Sequence, residues 1–156
     1  MRRSRSSNPA SGRPIELRLP SRLGYEKVAM DTVAAVAQRM GFRQERIDGL
    51  RTAVAEAITN AIEHGNRGLR QAEVHVLIQI CGAALVVCVR DQAYRAFDRD
   101  YGRERPEIER AFRGEDVGLG MWLIRQFVDE VEFTAAPNGG NEVRMVLHRT
   151  QATEES

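Results

Sequence analysis

The sequence predicts an α/β fold, a two-layer sandwich whose mixed, mainly antiparallel sheet carries its helices on one face. Short runs of alternating apolar and polar residues are separated by turn signals, the mark of strands joined as hairpins. Three longer segments repeat apolar residues every three to four positions, enough helix to cover one sheet face and leave the other barer. Regular β-α-β alternation and a GxxxxGKS/T string are both missing, which argues against a P-loop nucleotide fold.

The elements follow in order. Ile15, Leu17 and Leu19 alternate with Glu16 and Arg18 between two prolines, predicting a short, half-buried strand near an edge. From Gly24 to Met40, Tyr25, Val28 with Ala29, Val33, Val36 and Met40 trace a first helix, which Gly41 stops. A second helix carries Ile47, Leu50, Val54, Ala57 with Ile58, and Ala61 on one stripe. It ends near His64, before the breaker cluster Gly65, Asn66 and Gly68. Val74, Val76, Ile78 and Ile80 alternate before Cys81-Gly82-Ala83 turns the chain into the run Leu85 to Val89, a central hairpin. Between Asp91 and Asp116 the chain is polar and irregular, with a weak helical patch at Ile108 to Phe112. A loop this long is usually functional or mobile. Leu119, Leu123, Ile124, Phe127 and Val128 form a third helix, Val131 to Ala135 a strand. The turn Asn138-Gly139-Gly140-Asn141 leads to a last strand with Val143, Met145 and Leu147.

At 156 residues the chain is most economically one domain, here residues 14–149, between a disordered basic tail (1–13) and a polar tail (150–156). The 23 basic and 22 acidic residues leave a net charge of +1, so no global field recruits nucleic acid or an acidic membrane surface. The longest apolar run, Ala83 to Val89, is far short of the roughly 20 residues of a membrane span, and no apolar segment follows the N-terminal arginines as in a secretory signal. Cys88 lies inside an apolar run, where a buried, reduced thiol is the ordinary reading, and a cytoplasmic home is expected.

Three segments carry chemistry. Glu56 and Asn60 stand four apart on the polar side of the second helix, so they share a face and can meet one substrate, Glu56 as a general base and Asn60, through its oxygen, as a Mg²⁺ ligand. By itself such a pair is ordinary solvated decoration. Asp91 follows the strand from Leu85 to Arg90, where a carboxylate at a cleft floor can accept the N6 amino hydrogen of adenine, or simply cap a turn. In Glu115-Asp116-Val117-Gly118-Leu119-Gly120-Met121, glycines entering a helix let backbone N–H groups approach phosphate. The remaining candidates are weaker. His64 fits a helix C-terminus or the rim of the site, Trp122 a core or interface aromatic, and Arg113 either a phosphate or solvent, while His75, His148, Cys81 and Cys88 lack zinc-ligand spacing.

In this order the three segments resemble the N, G1 and G2 boxes of the GHKL ATPase superfamily. AVAEAITNAIEHG, VRDQAYRAFD and GLGMWLIRQFVDEVEF are most similar to the bacterial anti-sigma-factor serine/threonine kinases, over about Pro14 to Leu147. The resemblance implies the Bergerat, or histidine-kinase-like ATPase, fold and a catalytic Glu56. It further implies a Mg²⁺-binding Asn60, an adenine-binding Asp91, and a phosphate loop at Gly118, Leu119 and Gly120. It implies ATP and Mg²⁺ as cofactors, a STAS-type anti-anti-sigma factor as phosphoacceptor, a sequestered sigma factor, and a homodimer. Ile15, Leu17 and Leu19 either serve such self-association or face the core. The G1 box usually reads Asp-x-Gly, and its third position here is Ala93. A left-handed backbone there would cost Ala93 around 1 kcal/mol and a right-handed one nothing. The alternative to a kinase is a regulator that binds nucleotide without catalysis, or none, and sequesters its partner stoichiometrically.

Overall fold

The computed structural model describes residues 12–67, 69, 71–93, 119–136 and 139–149. Strand β1 (Ile15–Pro20) is followed by helices α1 (Glu26–Met40) and α2 (Gln44–Asn60), and α2 runs on into a π-helical turn (Ala61–Gly65). The hairpin β2 (Glu73–Cys81) and β3 (Ala84–Arg90), helix α3 (Leu119–Phe127), and strands β4 (Glu130–Ala135) and β5 (Asn141–His148) complete the order. Most of the tail 1–13, the patch from Ile108 to Phe112, Arg113, Gly118 and residues 150–156 lie outside the described residues.

The five strands form one sheet in the order β1-β2-β3-β5-β4. Every pairing among the described residues is antiparallel, where a mixed sheet was expected. The reason is topological: β3 and β4 do run parallel, but β5 returns between them and pairs with both.

The registers put Leu17 and Leu19, Val74, Val76 and Ile78, Leu85, Val87 and Val89, and Val143, Met145 and Leu147 on one face. These residues and the helices make the core. Leu17 and Leu19 thus face the helices, and Ile15 alone of the three is exposed. The opposite face is polar, with the ion pair Arg90–Glu142 at 2.7 Å, although Val86 and Val146 sit side by side there and are buried. Cys88 shares that face and is only half-buried, because strand alternation turns it away from the helices. Desolvation and nearby Glu142 still push its thiol up to about 11.

Helix α2 lies between α1 and α3. All six predicted stripe residues are buried, and so are Gly49 and Ala53, because neighbours cover both flanks of the helix. Gly49 admits the Phe127 ring of α3, which a Cβ would meet at 3.0 Å. Arg46 ties the start of α2 to Asp129 at 2.7 Å, and the same carboxylate oxygen accepts the His148 N–H at 2.6 Å. Tyr25, just before α1, and Val28, on it, fall outside the buried stripe and are exposed, and Gly41 ends the helix in a left-handed conformation as expected. No described helix is long and apolar enough to cross a membrane.

Candidate functional site

The site gathers where α2 ends, where α3 begins, where β3 exits and where β5 starts. Glu56 and Asn60 are both half-buried on the side of α2 that meets the start of α3. A Cβ on Gly120 would sit 2.8 Å from Glu56 Oε2 and 3.1 Å from Asn60 Nδ2, so a larger residue at the start of α3 would displace the ends of both side chains. Asn60 Nδ2 donates to Met121 Sδ at 3.7 Å, which leaves the carboxamide oxygen for another partner. Burial raises the Glu56 carboxyl above its usual range, and the Glu63 carboxylate raises it further. That direction is the one expected of a carboxylate meant to abstract a proton near neutral pH.

The second cluster is built from buried amides. Among the described residues the buried polar side chains are Asn66, Asp91 and Asn141. Asp91 Oδ1 accepts the Ala93 N–H at 2.9 Å, the Asn141 N–H at 3.0 Å and Asn141 Nδ2 at 3.4 Å. Its other oxygen lies against the α-carbon of Gly65, where a Cβ would collide with it. Desolvation raises the Asp91 carboxyl, and the three N–H donors partly offset the rise. Gly140 makes a similar close approach, since a Cβ there would run into the Asp91 carbonyl oxygen.

The π-helical turn links the two clusters. Its Asn66 N–H reaches the Ala61 carbonyl at 2.7 Å, one residue further back than an α-helical bond. That extra residue lays Gly65 against Asp91 and turns the Asn66 side chain inward.

Of the residues singled out in the sequence, the structure brings together Glu56, Asn60 and Gly120 in one cluster and places Asp91 and Ala93 in the other. Leu119 opens α3 beside the first, and Gly118 lies outside the described residues. Ala93 is buried, and no described non-glycine residue has a positive φ, so the alanine bears no left-handed strain. His64 is exposed in the π-helical turn and Trp122 is half-buried on α3. His75 and His148 sit on β2 and β5 beside Glu73 and Glu130, at 3.4 and 2.6 Å. Sequence reasoning passed over Gly65, Asn66, Gly140 and Asn141, which read as turn formers. Only their clustering just beyond the Glu56 helix and just before the last strand could have flagged them.

The profile of the histidine kinase-like ATPase domain matches residues 19–147. A serine-protein kinase RsbW from Oceanobacillus iheyensis is 31% identical over 148 residues, which cover 90% of this chain and 89% of the relative. An anti-sigma F factor from Bacillus thuringiensis is 30% identical over 128 residues, 79% of this chain and 84% of the relative. The crystal structure of the RsbU and RsbW domains of Rv1364c from Mycobacterium tuberculosis superimposes with a TM-score of 0.60 at 15% identity. It matches 88% of this chain, which spans only 32% of that longer one, and the likeness speaks for the fold. With its sheet, its helical layer and most of its length accounted for, the chain belongs to the histidine kinase-like ATPase domain family, in the group of the anti-sigma-factor serine kinases.

Proposed function

We propose that the protein is an ATP-dependent serine/threonine kinase that acts as an anti-sigma factor, phosphorylating a STAS-type anti-anti-sigma partner and sequestering a sigma factor. The observation that supports the reading is the packing of Gly120 against both Glu56 and Asn60, which brings a carboxylate and a carboxamide to the mouth of one helix N-terminus. Kinship with proteins named serine-protein kinase and anti-sigma F factor supports the same activity.

The residues fit Mg²⁺-ATP. Asn60 and Glu56 offer oxygen donors suited to a hard cation. The start of α3 is a cradle that a single Cβ would fill. ATP bound with Mg²⁺ supplies the γ-phosphoryl group and neutralises part of its charge. Asn60 holds the cation, and backbone N–H groups near Leu119 and Gly120 receive phosphate oxygens. Asp91, with Ala93 beside it, accepts the adenine amino group through the oxygen that faces Gly65. Glu56 takes the proton from the partner's hydroxyl as the oxygen bonds to the γ-phosphorus and the bond to ADP breaks. The nucleotide-free form of the alternative leans on Ala93 in the G1 box, and the backbone there is unstrained.

The test is direct. Labelled ATP, Mg²⁺ and a STAS-type anti-anti-sigma protein from the same genome should yield label on a serine or threonine of that protein. Absence of transfer from protein that demonstrably binds ATP would sink the kinase assignment.

A further inference from the structure

The β2–β3 ladder pairs His75 with Arg90, so the same register, carried one rung pair further, sets Glu73 opposite Gln92. At that rung the two backbones do not bond to each other. The Gln92 N–H donates to Asn66 Oδ1 at 2.7 Å, and Asn66 Nδ2 donates to the Glu73 carbonyl at 3.1 Å. In return the Glu73 N–H donates to Gln92 Oε1 at 2.9 Å, so a side-chain oxygen stands where the Gln92 carbonyl would serve in a regular ladder. The three bonds close a ring. A carboxamide from the π-helical turn is thereby wedged into the sheet, and Asn66 Nδ2 also reaches Ser21 Oγ at 3.3 Å.

Asp91 is the residue immediately before this pried-open rung. Were the strands to stay zipped, the chain at Asp91 would remain at ladder spacing from Val74. With the wedge in place, the separation of the strands and the position of Gly65 are fixed by one side chain, since Asn66 directly follows Gly65. The wedge is rigid because Asn66 is only 3% exposed and both ends of its carboxamide are bonded.

We propose that Asn66 and Gln92 are positioning residues that set the reach of the Asp91 carboxylate and thereby the preference of the site for a 6-amino purine over a 6-oxo purine. The proposal rests on the reading of Asp91 as the adenine acceptor. Its chemistry is simple: a carboxylate oxygen is matched to an amino donor and faces only an acceptor when inosine replaces adenosine. A loosened rung lets Asp91 drift and weakens the amino contact while leaving contacts to ribose and phosphates in place.

The experiment is calorimetric binding of ATP and ITP, with Mg²⁺, to wild type and four variants. Gln92 is exposed, so its replacement leaves the core intact. Gln92→Ala should weaken ATP about threefold to tenfold, the loss of one hydrogen bond's net contribution, with ITP unchanged, so the ITP/ATP ratio of dissociation constants falls by that factor. Gln92→Glu keeps an oxygen for the Glu73 N–H and should restore the ratio to within about twofold of wild type. Asn66→Ala should lower the ratio at least as much as Gln92→Ala, and if it does not fold, the Gln92 pair decides. Asp91→Asn should abolish the preference. An unchanged ratio in Gln92→Ala, or equal weakening of both nucleotides, overturns the clamp while leaving Asp91 in its role. Equal wild-type affinity for ATP and ITP, or an intact preference in Asp91→Asn, removes the adenine reading and the clamp with it.

Discussion

At the Asp91 end of the site the polar side chains are buried and tied: Asn66, Asp91 and Asn141 are 3 to 5% exposed and linked through backbone N–H groups at 2.7 to 3.0 Å. At the Gly120 end Glu56 and Asn60 are half-buried, and Asn60 meets a thioether at 3.7 Å. The first end resembles a protein interior, with its geometry set before any ligand arrives; the second is shaped mainly by steric closeness. Selection of a ligand depends on the reach of the tied carboxylate, whereas proton transfer depends on where the carboxylate on α2 stands, so the two ends put different steps at risk. Substitutions at the two ends should therefore fail in different ways.

The largest effect is expected at the loose end. Glu56→Gln should cut phosphotransfer roughly 10²- to 10⁴-fold, the usual weight of a general base, while ATP affinity stays within about twofold. Rapid-quench assays beside calorimetry separate the two, and an unimpaired transfer rate would strip Glu56 of its role. Gly120→Ala comes next, since its Cβ would stand 2.8 Å from Glu56 Oε2. Displacing both side chains should cost transfer about 10²-fold. The converse belongs to the tied end. Gly65→Ala forces a Cβ onto the Asp91 carboxylate, and strain of this kind costs about 1 to 3 kcal/mol, visible in denaturant melts, with a matching loss of ATP binding and little change in turnover at saturation.

Smaller effects sharpen the contrast. Asn141→Ala removes a 3.4 Å donor but keeps the backbone N–H at 3.0 Å, so ATP affinity should fall only about twofold to threefold. It also removes a bond that lowers the Asp91 pKa, so the acid limb of ATP binding should move to higher pH. Last is stability. Glu56 is raised in the folded state above its ordinary 4.5, so the fold binds this proton more tightly than the unfolded chain. The stability it contributes is present below the unfolded value and lost as pH rises through the folded one. Glu56→Gln should thus melt at a higher temperature than wild type at pH 7, and the gain should fade on acidification toward 4.5. A variant less stable at neutral pH would contradict the burial argument.

Much of this was legible in the chain. The strands and helices followed from period two and period 3.6, and the burial of Ile47, Leu50, Val54, Ala57, Ile58 and Ala61 followed from their spacing. The loose end could be read too, because Glu56 and Asn60 share a helix face whatever the tertiary context. The tied end could not. Gly65 and Gly140 serve by lacking a Cβ where another segment passes, and nothing local in the sequence says which segment that is. Nor does any local pattern announce a π-helical turn, whose extra residue is held by what Asn66 bonds across the sheet. The expected mixed sheet differed for a related reason: strand order is a property of packing, and β5 could insert between β3 and β4 without any mark in the strands' own residues.

The π-helical turn also makes the site sensitive to length. An α-helix advances about 100° per residue, so deleting one residue between Ala61 and Gly65 would let α2 continue regularly and swing everything after it by that angle. Gly65 would leave the Asp91 carboxylate and Asn66 would leave the Glu73–Gln92 rung, although every side chain named in the site would still be present. Point substitutions in this turn are graded injuries. A single-codon deletion would uncouple the Glu56 end from the Asp91 end at once, which makes the five residues from Ala61 to Gly65 a ruler whose count matters more than its composition.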